Sequence, residues 1–260
     1  MRSRVDIKTE AKQILRTARV SPILITLIVM AIAFVLNRVV TLVEYGSLFP
    51  FNFIQTYFTA YQRAITTGDF SALEVLMASL PESTTMSFFF STLVSLFTVV
   101  LNGGYFVYCM GIRQGVEMPY SSLTDGLSVA GKLIWCWIQL TVRTFLWSLL
   151  FVIPGIVAAY RYRFAYYNLL TDSSLSAGEA IRLSCQQTAG IKLDLFVLDL
   201  SFLGWALLSA LTMNLLNMWL TPYMTLCDLA YFEDAQQRLG RSPYGGSSQT
   251  PPPSGMPWEL

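Results

Sequence analysis

The chain has 260 residues, of which 54% are hydrophobic, 14% aromatic and only 13% charged. A soluble domain carries about 25% charged residues, so this composition excludes an ordinary water-exposed surface and points to a polytopic membrane protein. The net charge of +1 gives no bulk attraction to nucleic acid, and the lack of histidine excludes imidazole acid–base catalysis and His-ligated metal.

Residues 1–20 are basic, with Arg2, Arg4, Lys8, Lys12, Arg16 and Arg19 against Asp6 and Glu10. On a helix Ile7, Ala11, Ile14, Leu15 and Ala18 share one face, and Lys8, Lys12, Arg16 and Arg19 share another. Two readings fit: an amphipathic helix lying on an anionic leaflet, or a short soluble cap with ordinary positive-inside charge. Ser21-Pro22 ends the segment, and an uncleaved first span follows over about 23–43. Residues 44–84 form the longest polar stretch, with Glu44, Asp69, Glu74 and Glu82 but only Arg63 as a base. The Lys/Arg asymmetry places the N-terminus in the cytoplasm and this loop outside. A short helix is expected over 69–80.

The second span covers about 86–112 and carries Gly103-Gly104, a kink or close-packing point. A loop with an Asp125-Gly126 turn leads to the third span, 133–153, which ends at Pro154-Gly155. A fourth helical segment is expected over 156–170, a fifth over 193–220, and a sixth over 223–239 after a break at Thr221-Pro222-Tyr223. The tail from Gly240 is rich in Pro, Gly and Ser and is expected to be disordered. The fold class is an all-α, polytopic integral membrane helical bundle of five to six transmembrane helices. Some are broken at Pro or Gly, both termini are cytoplasmic, and the membrane is the bacterial plasma membrane. The domains run 1–20, 21–239 and 240–260.

The stretch from Pro154 to Tyr231 is the most patterned. Pro154, Gly155, Tyr160, Arg161, Tyr162, Ser176, Ala180, Ile181, Ser184, Gly190, Lys192, Phe196, Ser201, Gly204, Trp205, Pro222 and Tyr223 carry a resemblance to the bacterial integral-membrane family called domain of unknown function 975. The resemblance implies a multi-spanning protein, chiefly of Gram-positive bacteria, with no established activity. It is also loosely similar to the non-catalytic membrane half of some glycerophosphodiester phosphodiesterases. One departure from the family pattern falls at Gln187-Thr188-Ala189-Gly190, where a Met-Lys-Gly-like run is usual.

The sharpest chemical feature is charge inside apolar sequence: Arg143, Arg161, Arg163, Asp194, Asp199 and Asp228. A charge at the bilayer centre costs about 2.5–3.5 kcal/mol on insertion scales, so each must pair, snorkel or line a wet cavity. Arg143 and Asp199 are the first candidate pair. Arg143, Arg161, Arg163, Asp194 and Asp199 are the candidate ligand set for an anionic or amphiphilic solute, and interhelical salt bridges are the structural alternative. Gly103, Gly104, Pro154, Gly155, Gly204 and Pro222 are read as hinge or packing positions. Trp135, Trp137, Trp147, Trp205 and Trp219 are read as interfacial anchors.

The cysteines, Cys109, Cys136, Cys185 and Cys227, form no CxxC pair and no zinc spacing. No GxSxG, HExxH or P-loop motif occurs. The expectation is therefore no enzyme, no metal and no cofactor. Two functions follow: a transport-related protein with an Arg-lined intramembrane cavity, or a non-catalytic membrane organiser. The organiser would bind lipid through the basic N-terminus and a protein partner through the Pro-rich tail, where Pro251-Pro252-Pro253 can form polyproline II.

Overall fold

The structure is a computed structural model, and it describes residues 2–45, 51–78, 85–212 and 214–244. Every regular element among them is helical: α1 (Arg4–Thr17), α2 (Pro22–Tyr45), α3 (Phe51–Thr67), α4 (Ser71–Ala78), α5 (Thr85–Arg113), a 3-10 segment (Tyr120–Val129), α6 (Ala130–Leu150), α7 (Val152–Arg161), α8 (Ala165–Thr171), α9 (Ala177–Gln187), α10 (Lys192–Leu211) and α11 (Asn217–Arg238). Of the tail expected to be disordered, 240–260, residues 245–260 lie outside the described residues.

Four helical stretches are long and apolar enough to cross a bilayer: Pro22–Val43, Met86–Arg113, Tyr120–Leu150 and Lys192–Leu211. The other two expected spans do not take that form. Segment 156–170 is split between α7, of 10 residues, and α8, of 7. Ten residues rise only about 15 Å against a hydrocarbon core of about 30 Å. Helix α11 has 22 residues, but Asp228, Glu233, Asp234 and Arg238 make it too charged.

The chain divides into two compact units, one formed by residues up to Met30 with those from Val99 onward, the other by Ala31–Thr98. The first is built around α11, which has a row of buried residues from Leu220 to Gln236. Helix α1 belongs to this unit, because its Ile7 and Ala11 lie fully buried in the core. In the second unit the stretch read as a polar loop contains α3, a helix of 17 residues, followed by α4.

Small residues set the close approaches. Gly104 lies under the 3-10 segment, where a Cβ would fall on the Leu123 carbonyl, and Gly126 sits equally tightly on α5. The Gly103-Gly104 pair is thus a packing point in a helix that continues unbroken to Arg113. Gly155 packs on Ser148, holding α7 back along α6. The break between those helices is at Phe151, whose backbone is extended. Pro154 lies in the first turn of α7, where its missing N–H costs no helical bond.

Two expected packing positions behave otherwise. Gly204 is exposed on α10 with open space around its Cα, so it brings no helix close. Pro222 lies inside α11 rather than ending a helix. The chain turns earlier, at Asn214, which adopts a φ of 65°, and Ser209 donates to Asn217 Oδ1 at 2.7 Å.

Candidate functional site

The turn at 162–164 places Arg163 between α10 and α11. Ser184 of α9 shapes this turn: its hydroxyl accepts from the Phe164 amide at 3.1 Å and donates to the Arg161 carbonyl at 2.8 Å. Side-chain bonds thus replace helical bonds where α7 gives way to α8.

The Arg163 guanidinium meets Asp199 at 2.6 Å (Nη1) and 2.8 Å (Nη2). It meets Asp228 at 2.8 Å (Nη2) and 3.3 Å (Nε). Tyr160 donates to Asp199 at 2.8 Å and lies with its ring 5.6 Å from the guanidinium. One guanidinium faces two carboxyl groups, so α7 (through Tyr160), α10 and α11 meet at one node. A planar fork serves this geometry, whereas an ammonium would satisfy only part of it.

The pairing differs from the sequence expectation. Asp199 takes Arg163, not Arg143. Arg143 sits exposed on α6 and donates to Gln139, one turn back, at 3.3 Å. Its neighbours Val142, Phe145 and Leu146 are also exposed, so it stands on an outward apolar face. Arg161 closes α7 and offers its carbonyl to Ser184 and Thr188. Asp194 is exposed in the first turn of α10, where a carboxylate suits the helix N-terminus. Of the five candidate ligands, only Arg163 and Asp199 are brought together.

Two further constellations carry no sequence motif. Asn168 and Gln187 exchange hydrogen bonds of 2.9 and 2.8 Å, and Gln236 Nε2 donates to Asn168 Oδ1 at 3.4 Å. All three side chains are buried, and they join α8, α9 and α11. The start of α9 is fixed by Ser176 and Glu179, which cap each other reciprocally. Hydrogen bonds from the Ser176 hydroxyl and amide hold the Glu179 carboxyl below its ordinary value.

The second constellation fastens α1. Arg2 bonds Asp234 with its backbone N–H at 2.9 Å and its Nε at 2.7 Å, and reaches Glu10 at 2.9 Å, Glu233 at 3.1 Å and the Ala230 carbonyl at 2.9 Å. Arg113, at the end of α5, bonds Glu233 at 2.6 and 2.8 Å and Glu10 at 3.0 Å. Tyr244 donates to Glu233 at 2.5 Å. Residues 240–244 of the expected tail therefore fold back onto the core.

Lys8 reaches Ser201 at 2.7 Å and lies 4.7 Å from the Phe202 ring centroid. Arg4, Lys12 and Arg16 are exposed and enter no ion pair among the described residues. With Lys8 they occupy an arc of about 120° on α1, which borders the face that Ile7 and Ala11 turn to the core, and Lys12 Nζ lies 5.9 Å from the Tyr223 ring centroid. Arg19 pairs with Glu117 at 2.6 Å. A cleft of about 580 Å³ opens beside Arg2, Asp234, Gln237 and Arg238. A smaller cavity of about 190 Å³ lies between the end of α1 and the end of α5. Neither is lined by Arg143, Arg161, Arg163, Asp194 or Asp199.

Residues 1–239 match the family described as protein of unknown function, DUF975, and the chain belongs to that family. The apolar helices agree with a membrane protein. No curated protein and no solved structure matches the chain.

Proposed function

We propose that this protein is a non-catalytic membrane organiser that gathers anionic lipid at the basic edge of α1. The observation that carries this reading is the way α1 is held. Its apolar face and its Arg2 and Glu10 side chains are committed to the core, Lys12 reaches to 5.9 Å from the Tyr223 ring centroid, and Arg4, Lys12 and Arg16 all stay exposed to solvent or headgroups. Glu10 meets Arg113, the last residue of the α5 span, so mid-α1 lies level with the end of that span. The α2 span begins five residues after Thr17. A basic side chain at an anionic surface gains about 1 kcal/mol, and a helix fastened to the bundle has no docking entropy left to lose on binding. The plasma membrane and a cytoplasmic position for both termini belong to the same reading, because the base-rich edge then faces the anionic inner leaflet. A protein partner for the Pro-rich tail is the second arm of the organiser.

The transport-related alternative draws on one observation: the Asp199 side chain is 30% exposed, so the Arg163 node is not sealed within the helices around it. It is weakened by the occupancy of the guanidinium, which spends its fork on two carboxylates and has little to offer an anionic solute.

Native mass spectrometry separates the two. Wild-type protein released from membranes containing phosphatidylglycerol is expected to carry that lipid, and an Arg4→Gln/Lys12→Gln/Arg16→Gln variant to lose most of it. Loss of a small anionic species in Arg161→Gln, with lipid unchanged in the triple variant, would favour transport.

A further inference from the structure

Helix α3 partitions its surface three ways. Ala60 and Ala64 are buried. Gln55, Thr56, Thr59, Gln62, Arg63, Thr66 and Thr67 form an exposed polar arc of about 140°. Tyr57, Phe58, Tyr61 and Ile65 form a second exposed arc of about 100° that is wholly apolar or aromatic. Phe58 is 60% exposed and Ile65 66%, so neither α4 nor any other described element covers this stripe. Tyr57 and Tyr61 stack within it, with ring centroids 6.3 Å apart. The polar arc is closed by an Arg63–Asp69 pair at 3.9 Å.

From this geometry we infer that the α3–α4 hairpin lies in the plane of the bilayer interface, with the Tyr57/Phe58/Tyr61/Ile65 stripe sunk among lipid chains and the Gln62/Arg63/Thr66 arc in water. The leaflet is the one on the side where the α2 span ends and the α5 span begins. Lipid is the occupant because the two apolar spans that flank the hairpin in the chain also leave large apolar side chains uncovered. In the same unit α2 exposes Phe34, Val35, Val39 and Leu42, and α5 exposes Phe88, Phe89, Leu93 and Phe97. Both helices lead directly to the hairpin, and their spans deliver it to the membrane surface. The aromatic content suits that depth, since Tyr places its ring among the chains and its hydroxyl among headgroups. A helix with one charged residue on its polar arc and no base on its apolar arc binds through area rather than charge. The stripe is thus insensitive to lipid charge, unlike the edge of α1.

Spin labels at single introduced cysteines test this in the full chain reconstituted in phosphatidylcholine bilayers. Cys185, the one native thiol that is not buried, is replaced by Ser. Labels at Phe58→Cys and Ile65→Cys are expected to collide with oxygen about threefold more than labels at Gln62→Cys and Thr66→Cys, and less with a water-soluble nickel chelate. Equal access to the chelate on both arcs would place the stripe in water and overturn the inference. Labels shielded from both reagents would mean that a second copy or another protein covers it, which overturns it as well. A readout on the wild-type chain guards against a misfolded variant: a phosphatidylcholine with a photoreactive acyl chain is expected to label the peptide holding Tyr57–Ile65. Absence of label there, with α2 and α5 peptides labelled, would contradict the inference.

Discussion

Arg163 and Arg143 show how one residue type takes opposite roles in similar sequence. Arg163 is held by Asp199 and Asp228 across three helices. Removing its charge leaves two carboxylates facing each other, a loss of about 3–5 kcal/mol for a broken, largely enclosed pair. Arg163→Gln is therefore expected to lower the thermal unfolding midpoint sharply in detergent, and Arg163→Lys to recover only part of it. Arg143→Leu is expected to change stability by no more than about 0.5 kcal/mol, since the side chain stands outward among apolar neighbours. Glycines divide in the same way. Gly104→Ala forces a Cβ into the Leu123 carbonyl and is expected to cost about 1–3 kcal/mol. Gly204→Ala meets open space and is expected to stabilise α10 by about 0.5–1 kcal/mol. Both pairs are read by the same unfolding measurement.

At the scale of elements, the fastening of α1 has a pH signature. Burial, and then the neighbouring Glu233 carboxylate, hold the Tyr244 hydroxyl well above its ordinary value of about 10. The folded state thus keeps this proton after the unfolded chain has released it. The stability it contributes is complete below pH of about 10 and is lost as pH rises beyond that. Tyr244→Phe is expected to lessen the alkaline fall in unfolding temperature, compared with the parent over the same range.

The helices most legible in the sequence were those set by local signals. The α1 periodicity and the long apolar run of α2 appear where expected, with α2 beginning at Pro22, whereas α1 ends at Thr17, ahead of the expected break at Ser21-Pro22. Helix α3 was not read, because its period lies in aromatics, threonines and alanines rather than in charges. Pro222 was read as a breaker, yet the turn at Asn214 leaves it within the new helix. Asp199 was recognised as a paired charge, but its partner depended on the turn that Ser184 shapes, which no spacing within α7 discloses.

For the whole molecule, the reading proposed above gives two membrane-facing surfaces. The larger unit fastens a basic helix through Arg2, Glu10, Arg113, Glu233 and Asp234, and the smaller unit presents an aromatic stripe on α3. Charge governs the first surface and area the second, so the two respond differently to salt. The proposed role rests on the first. The most direct measurement is electron paramagnetic resonance of spin-labelled lipids around the reconstituted protein, comparing phosphatidylglycerol with phosphatidylcholine. The wild type is expected to enrich phosphatidylglycerol in the motionally restricted shell at low salt, to lose that preference as salt rises, and to lack it in the Arg4→Gln/Lys12→Gln/Arg16→Gln variant. An equal preference in the wild type and the folded variant at every salt concentration would contradict a lipid-gathering role for α1.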